Sequence, residues 1–285
     1  MLNAEFRMIN KKKYLLLSLT LALLTAGALL YVRFISPTRI AFVNFEDWQY
    51  TGYLHANDNP FIRVTQLSIE PEHTPPFSRY DMVFLFGMGL RLTDTQRAAL
   101  EKAGSRGVGV YTYGGTTAEA SPTNLTEEHC RELEHYFTYG GTINARRMFN
   151  YCRKVFDRKS FFTESIRPPG VIPQNALFHC GEQDYFESVT RYREFYRSRG
   201  LFKPGAPSVC VLTSNLSPRL PSTNPPIHAL VRELERRGLN VYPVTGFFKR
   251  LEYLKQIEPD VIVFIAHGRL APGRSAQARE VLKQL

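Results

Sequence analysis

Cysteine is scarce in this chain: four in 285 residues, Cys130, Cys152, Cys180 and Cys210, with no two forming a Cys-x-x-Cys pair. That spacing excludes a zinc-ribbon or thioredoxin-type redox signature and leaves open either one or two disulfides or buried thiols. Signatures of nucleotide chemistry are missing as well. The glycines of Tyr113-Gly114-Gly115-Thr116-Thr117 match neither a P-loop nor a dinucleotide fingerprint. A tight turn is the simpler reading of that stretch, although a loop after a strand can present backbone amides to an anion. Ser214, Asp260 and His267 lack the nucleophile elbow that would make them a hydrolase triad. There is no low-complexity tract and no short repeat, so solenoids and disordered linkers are excluded. Finally, no charge of either sign occurs in the nineteen residues from Tyr14 to Val32.

That last absence gives the firmest expectation. As a helix, nineteen residues rise about 28 Å, close to the ~30 Å hydrocarbon core of a bilayer. Arg7 and Lys11 to Lys13 precede the run and only Arg33 follows it closely. The positive-inside rule then sets residues 1–13 as a basic cytoplasmic tail, 14–32 as the membrane anchor and the rest of the chain outside the cytoplasm. A cleaved signal peptide is the rival reading. It normally has a shorter apolar core, and here Leu29-Leu30-Tyr31-Val32 carries the run past the small residues Thr25 to Ala28.

The formal charge of +10 does not mark a nucleic-acid binder. Arg7, Lys11, Lys12, Lys13 and Arg33 against Glu5 account for +4, and the remaining +6 is dispersed among acids in helices such as Arg191 to Arg199. Mixed charge of this kind describes a solvated surface rather than a phosphate-tracking stripe.

Beyond the anchor the pattern is that of an α/β protein. Arg39 to Phe45, Phe61 to Ile69, Met82 to Gly87 and Val108 to Tyr113 read as buried strands, with a helix between the last two opened by Thr93 and Gln96 as a capping box. Helices are expected over Thr126 to Tyr139, over Thr142 to Phe156 with Thr142 as its cap, and over Asp184 to Arg199. Pro168, Pro169, Gly170 and Pro173 make the stretch between the latter two a rigid connector. In 224–237, Ile227, Leu230, Val231 and Leu234 share one helical face, with Arg232, Glu233, Glu235, Arg236 and Arg237 turned to water. Gly238 ends that helix as a left-handed cap. The expected architecture is an N-terminal transmembrane helix followed by two doubly wound parallel-sheet units, 39–203 and 204–285. Only three strand candidates follow Pro207 (208–212, 240–244 and 261–266), fewer than the usual five or six, so the second unit reads as incomplete.

The order of these pieces resembles one family. Tyr139-Gly140-Gly141-Thr142-Ile143-Asn144, the proline-rich Arg167 to Pro173, the tyrosines of Tyr192 to Tyr196, the strand Val209 to Leu212, and the run Leu234 to Val244 follow one another as in the large tetrapyrrole chelatase subunits of the CobN and magnesium chelatase H type. The resemblance implies a tetrapyrrole and a divalent metal as substrates, and nucleotide-hydrolysing partner subunits. Members of this type are several times longer, so it also implies an N-terminal portion that is inactive alone. An anchor is more like the haem-uptake (HmuS-type) relatives than the soluble ones. The alternative is an extracytoplasmic two-domain ligand-binding or scaffold protein without catalysis.

Seven histidines are the residues on which a haem or metal site would draw. His129 and His135 are six apart on one helix and do not stack; His55 and His73 read as loop residues; His228 lies near the start of a helix. His267 follows the apolar strand from Val261, at the strand end where α/β folds place ligands. His179 stands beside Cys180 on an extended segment where neighbours point opposite ways. His267 and His179 are therefore the two candidate ligand-binding residues. No metal-ligand set and no catalytic residue is legible.

Overall fold

The computed structural model describes residues 17–117, 121–181, 184–214 and 224–285. The basic tail and the first three residues of the expected anchor lie outside them. Helix α1, Leu17–Ile35, is long and apolar enough to cross a membrane. Its leucines are exposed: Leu19, Leu21, Leu23, Leu24, Leu29 and Leu30 each show more than half of their surface.

The chain leaves α1 through Ser36 and Pro37 straight into the first sheet. Strands β1 (Thr38–Val43), β2 (Ile62–Leu67), β3 (Met82–Phe86) and β4 (Gly109–Tyr113) form a four-stranded parallel sheet in the order β2-β1-β3-β4. Alternation along β1 decides which helices cover it. Ile40 and Phe42 pack with Tyr53 of α2 (Asp47–Ala56), Phe137 of α4 (Glu127–Tyr139) and Phe149 of α5 (Gly141–Tyr151). Ala41 and Val43 pack on the other face with Leu100 and Ala103 of α3 (Asp94–Ser105). Both faces are buried, as a parallel sheet requires. The capping box at Thr93 is present, and the Gln96 amide also donates to the carbonyls of Glu70 and His73, holding a loop to the helix start. The Gly114-Gly115 turn has a steric reason: a Cβ on Gly87 would stand 2.5 Å from Gly115 Cα, so the loops after β3 and β4 touch backbone to backbone.

The second sheet is mixed rather than wholly parallel. Strands β5 (Ala176–Phe178), β6 (Tyr185–Phe186), β7 (Ser208–Leu212), β8 (Asn240–Thr245) and β9 (Val261–Phe264) lie in the order β6-β5-β8-β7-β9. β7, β8 and β9 are parallel, while β5 runs antiparallel to both β6 and β8. The three strands expected after Pro207 are thus joined by two from before it, and the sheet begins upstream of residue 204. Tyr185 and Phe186, expected to be helical, form β6, and the helix starts later: α6 covers Val189–Ser198 with Ser188 as its cap. α6, α8 (Arg250–Ile257) and α9 (Ser275–Gln284) cover one face, and α7 (Asn224–Arg236) covers the other.

Two features give the glycine motif and the tyrosine pair structural roles. Gly140 separates α4 from α5 with φ 56° and ψ −155°, a conformation open to glycine alone, and it takes the capping position expected of Thr142. This reversal presents Asn144, fully buried, to the proline-rich connector. Its side-chain amide donates to the Gly170 carbonyl at 2.8 Å and its oxygen accepts from the Gly170 amide at 2.8 Å. Tyr136 donates to the Arg167 carbonyl and Arg147 to that of Pro168. The glycine motif therefore exists to hold the connector.

The tyrosine pair acts on the second sheet. β5 is too short to cover all of β8, and at Val241 the two hydroxyls stand in for the missing strand. Tyr192 donates to the Val241 carbonyl at 2.7 Å, and Tyr196 accepts from the Val241 amide at 3.2 Å. Tyr192→Phe leaves that buried carbonyl unpaired, and we expect a loss of about 1–3 kcal/mol in urea or thermal unfolding of the second unit. A loss below about 0.5 kcal/mol would show that the carbonyl does not depend on this hydroxyl.

Candidate functional site

Three concave regions merit comparison. At the carboxyl end of the first sheet, where strand order reverses between β1 and β3, Asn44 follows β1 with φ 61° and donates to the carbonyls of Phe86 and Met88. It borders a cavity of about 340 Å³ with Leu90, Arg91 and Thr93. A second cavity, about 210 Å³, opens between the two units against Gly141, Thr142, Ile172, Cys180, Tyr185 and His228. It is smaller than the roughly 300–1,000 Å³ of drug-sized ligand pockets. The third region is the carboxyl end of the second sheet.

The two candidate histidines fall at different places. β5 runs against β8 with Ala176 opposite Thr245 and Leu177 opposite Val244, so His179 lies back toward the amino ends of the parallel strands. It is held there: Nε2 is 2.9 Å from Glu235 Oε1 on α7, both side chains nearly buried, and the ring packs against Phe195 and Tyr196. Glu235 thus faces this histidine instead of water. The expectation that His179 and Cys180 diverge also fails. The chain bends after Phe178, and both side chains reach α7, Cys180 Sγ lying 3.7 Å from the His228 carbonyl. Burial pushes the Cys180 thiol up to about 11, so it is no thiolate at neutral pH. Burial, helped by Arg232, lowers the His228 pKa and favours the neutral ring.

His267 does lie beyond β9, exposed, as the strand pattern requires. Its backbone amide donates to Ser214 Oγ at 2.9 Å. That bond joins the ends of β7 and β9, but it uses the main chain and not the imidazole. Asp260 sits at the opposite end of β9, accepting from the amide and hydroxyl of Ser208, so Ser214, Asp260 and His267 form no triad. His55 belongs to α2 and not to a loop. The four cysteines are free thiols. Among the described residues no three His, Cys, Asp or Glu side chains gather as a metal-holding group.

What the sequence pattern missed at this end of the sheet is Arg250. It opens α8, directly after the loop that follows β8, and is 1% exposed. Its guanidinium donates to the carbonyls of Thr213, at the end of β7, and Arg269, in the loop after β9, both at 3.0 Å. The Phe247 and Phe264 rings lie 4.8 and 5.5 Å from its centre. Around it, the Thr213 and Thr245 hydroxyls donate to the carbonyls of Val244 and Ser214, locking the ends of β7 and β8 together. Arginine is normally a surface residue, so neither periodicity nor composition marks this one as buried.

This arrangement of helices and strands has known counterparts. The CobN/magnesium chelatase family model matches residues 134–285, more than half of the chain. The chain belongs to the CobN/magnesium chelatase family. A solved structure, the catalytic subunit of cobaltochelatase from Mycobacterium tuberculosis, shares the fold with a TM-score of 0.50 at 15% sequence identity. The likeness covers 80% of this chain and 18% of that one, so this chain spans under a fifth of that protein's length. No curated protein matches. On the structure, the matched residues of the CobN/magnesium chelatase family run from within α4 through α9. They take in the Asn144 clamp, the connector, the tyrosine pair and the whole second sheet.

Proposed function

We propose that this chain is the membrane-anchored N-terminal portion of a CobN/magnesium chelatase-like system, holding a tetrapyrrole for metal insertion or iron removal without performing the transfer by itself. The observation that carries the reading is the family match over α4 to α9, which contains a basic carboxyl end of a sheet centred on Arg250. Tetrapyrroles of biological chelation carry carboxylate side chains, and a buried guanidinium suits them. The substrates in this reading are a tetrapyrrole and a divalent metal, and nucleotide-hydrolysing subunits are the partners the family implies. That the chain is inactive alone is supported by its share of the solved relative, 18%.

Anchoring by α1 is supported by features at its end. Ile35 and Ser36 are pinned to the first unit by Arg153, and the exposed ring of Phe161 lies edge-on to Phe34 near the end of α1, where aromatic side chains suit a membrane interface. In membrane fractions the chain is expected to resist carbonate extraction and to lose residues 36–285 to protease added from the outer side. Protection until the membrane is broken would reverse the orientation.

The transfer claim has its own test. The detergent-solubilised full chain, mixed with a metal-free porphyrin and a cobalt(II) or magnesium(II) salt, is expected to form metalloporphyrin no faster than protein-free buffer. A catalysed rate would place the chemistry in this chain. The cavity between the units favours a second reading, an extracytoplasmic two-domain ligand-binding protein. It predicts a small ligand there and no response to porphyrin.

A further inference from the structure

Folding leaves two neighbouring phenylalanines in water. Phe161 and Phe162, on the loop after the π-helical turn that follows α5, are 57% and 58% exposed. The loop beneath them is firmly held. Arg153 donates to the Phe161 carbonyl from Nε and Nη2, Asn59 donates to the Phe162 carbonyl at 2.9 Å, and the Thr163 hydroxyl donates to the Lys159 carbonyl at 3.0 Å. The Phe162 ring lies flat on Phe61, with 4.2 Å between centroids. Two non-glycine residues, Arg158 and Phe162, are kept at φ 56° and 55°, the left-handed region that bulky side chains resist. A strained, well-bonded turn that ends by showing two rings to solvent gains little from those rings in the folded chain alone. Adjacent exposed aromatics of this kind mark a contact surface.

We propose that this loop is a lipid-contacting surface that seats the first unit directly on the bilayer, its two rings at the boundary of headgroups and acyl chains and Arg33 and Arg158 at the phosphates. This surface rests on the anchoring proposed above, because α1 sets its depth. The charge-free run ends at Val32, and Phe34, two residues on, stands only about 3 Å further along the helix axis. The polar layer on each side of a bilayer is about 5–8 Å deep. The Phe161 ring meets Phe34 edge-on, 6.1 Å between centroids, so the loop joins α1 within reach of the acyl boundary. The charges suit the same place. Arg33 Nη1 lies 3.5 Å from the carbonyl of Arg158, 125 positions away, and both arginines are exposed. The Arg33 guanidinium also lies 5.5 Å from the Phe34 ring. Asp157, beside Arg158, is nearly buried and paired with Lys159 at 2.8 Å, which leaves Glu164 as the exposed carboxylate of the loop. Aromatic rings flanked by arginines are the chemistry of a phospholipid interface, where long basic side chains reach phosphate oxygens.

The test uses the full chain in phosphatidylcholine vesicles. Trp48→Phe removes its single tryptophan, and Phe161→Trp places a reporter on the loop. With a phosphatidylcholine brominated near the head of its acyl chains, that reporter is expected to be quenched about twofold and to emit at shorter wavelength than an indole in water. Leu24→Trp in the same background reads α1 separately, through a lipid brominated at mid-chain. An unquenched Phe161→Trp beside a quenched Leu24→Trp would overturn the lipid surface and leave the span standing, the result expected if a protein partner covers the rings instead. A quenched Phe161→Trp beside an unquenched Leu24→Trp would support the surface and overturn the span. A second measurement covers the case in which the tryptophan variant fails to fold. Phe161→Ser removes an exposed ring and is expected to melt as wild type does, while trypsin cuts after Arg158 in vesicles about tenfold faster. An unchanged cutting rate at an unchanged melting temperature would overturn the surface.

Discussion

Arg153→Met is expected to be the most damaging single substitution in the first unit, lowering stability by about 3–5 kcal/mol. Arg153 stands at the point where α1 ends, β1 begins and the π-helical turn after α5 closes. It ties together the carbonyls of Ile35, Ser36, Phe61 and Phe161. Beside it, Asp157 accepts from Thr38 and pairs with Lys159 at 2.8 Å, and Lys159 donates to Ser36 Oγ. Removing the guanidinium strands four carbonyls and weakens the compensation of a nearly buried carboxylate. Repacking cannot restore either loss, because methionine offers no donor. For a unit of this size the melting temperature should fall on the order of 10 °C. The consequence also reaches α1. With the network broken, the helix is no longer fixed in direction relative to the sheet, and protease should cut near Ser36 faster. A melting temperature within about 2 °C of wild type would refute the view that this network fixes α1 to the first unit.

Asn144→Ala should come next, at about 2–4 kcal/mol, since it removes both hydrogen bonds to Gly170 at once. Half-exposure of Gly170 lets water recover part of the loss, which keeps the figure below the sum for two fully buried groups. The more specific sign is local. Proteinase K should cut the connector between Ile166 and Val171 faster in the variant than elsewhere in the chain. Global destabilisation without faster cutting there would mean that Asn144 supports packing and not the connector.

Much of the architecture was legible because its signals are local. The capping box at Thr93, the helical face of Ile227, Leu230, Val231 and Leu234, and the left-handed Gly238 each follow from a few neighbouring residues, and each stands where the pattern put it. α2 was missed: Asp47-Trp48-Gln49-Tyr50 carries no clear apolar stripe, and the helix owes its place to packing of Tyr53 on Phe42. β5 and β6 were missed because three- and two-residue strands are too short to show a period; pairing with β8 makes them strands. The candidate site was legible in part. The strand pattern located the carboxyl end of the second sheet through His267. It singled out the histidines and passed over Arg250, because burial of an arginine is set by distant loops. His179 was a candidate by residue type, and the structure instead pairs it with Glu235, a partner 56 residues away.

Under the function proposed here, this chain binds a tetrapyrrole in its own right. The most direct measurement is an equilibrium titration of the detergent-solubilised full chain with haem and with a metal-free porphyrin, following the Soret band together with the melting temperature. A saturable spectral change and a melting temperature that rises with porphyrin concentration are expected. A folded chain that leaves both unchanged up to the solubility limit of the porphyrin would contradict it and leave the chain a tethered scaffold.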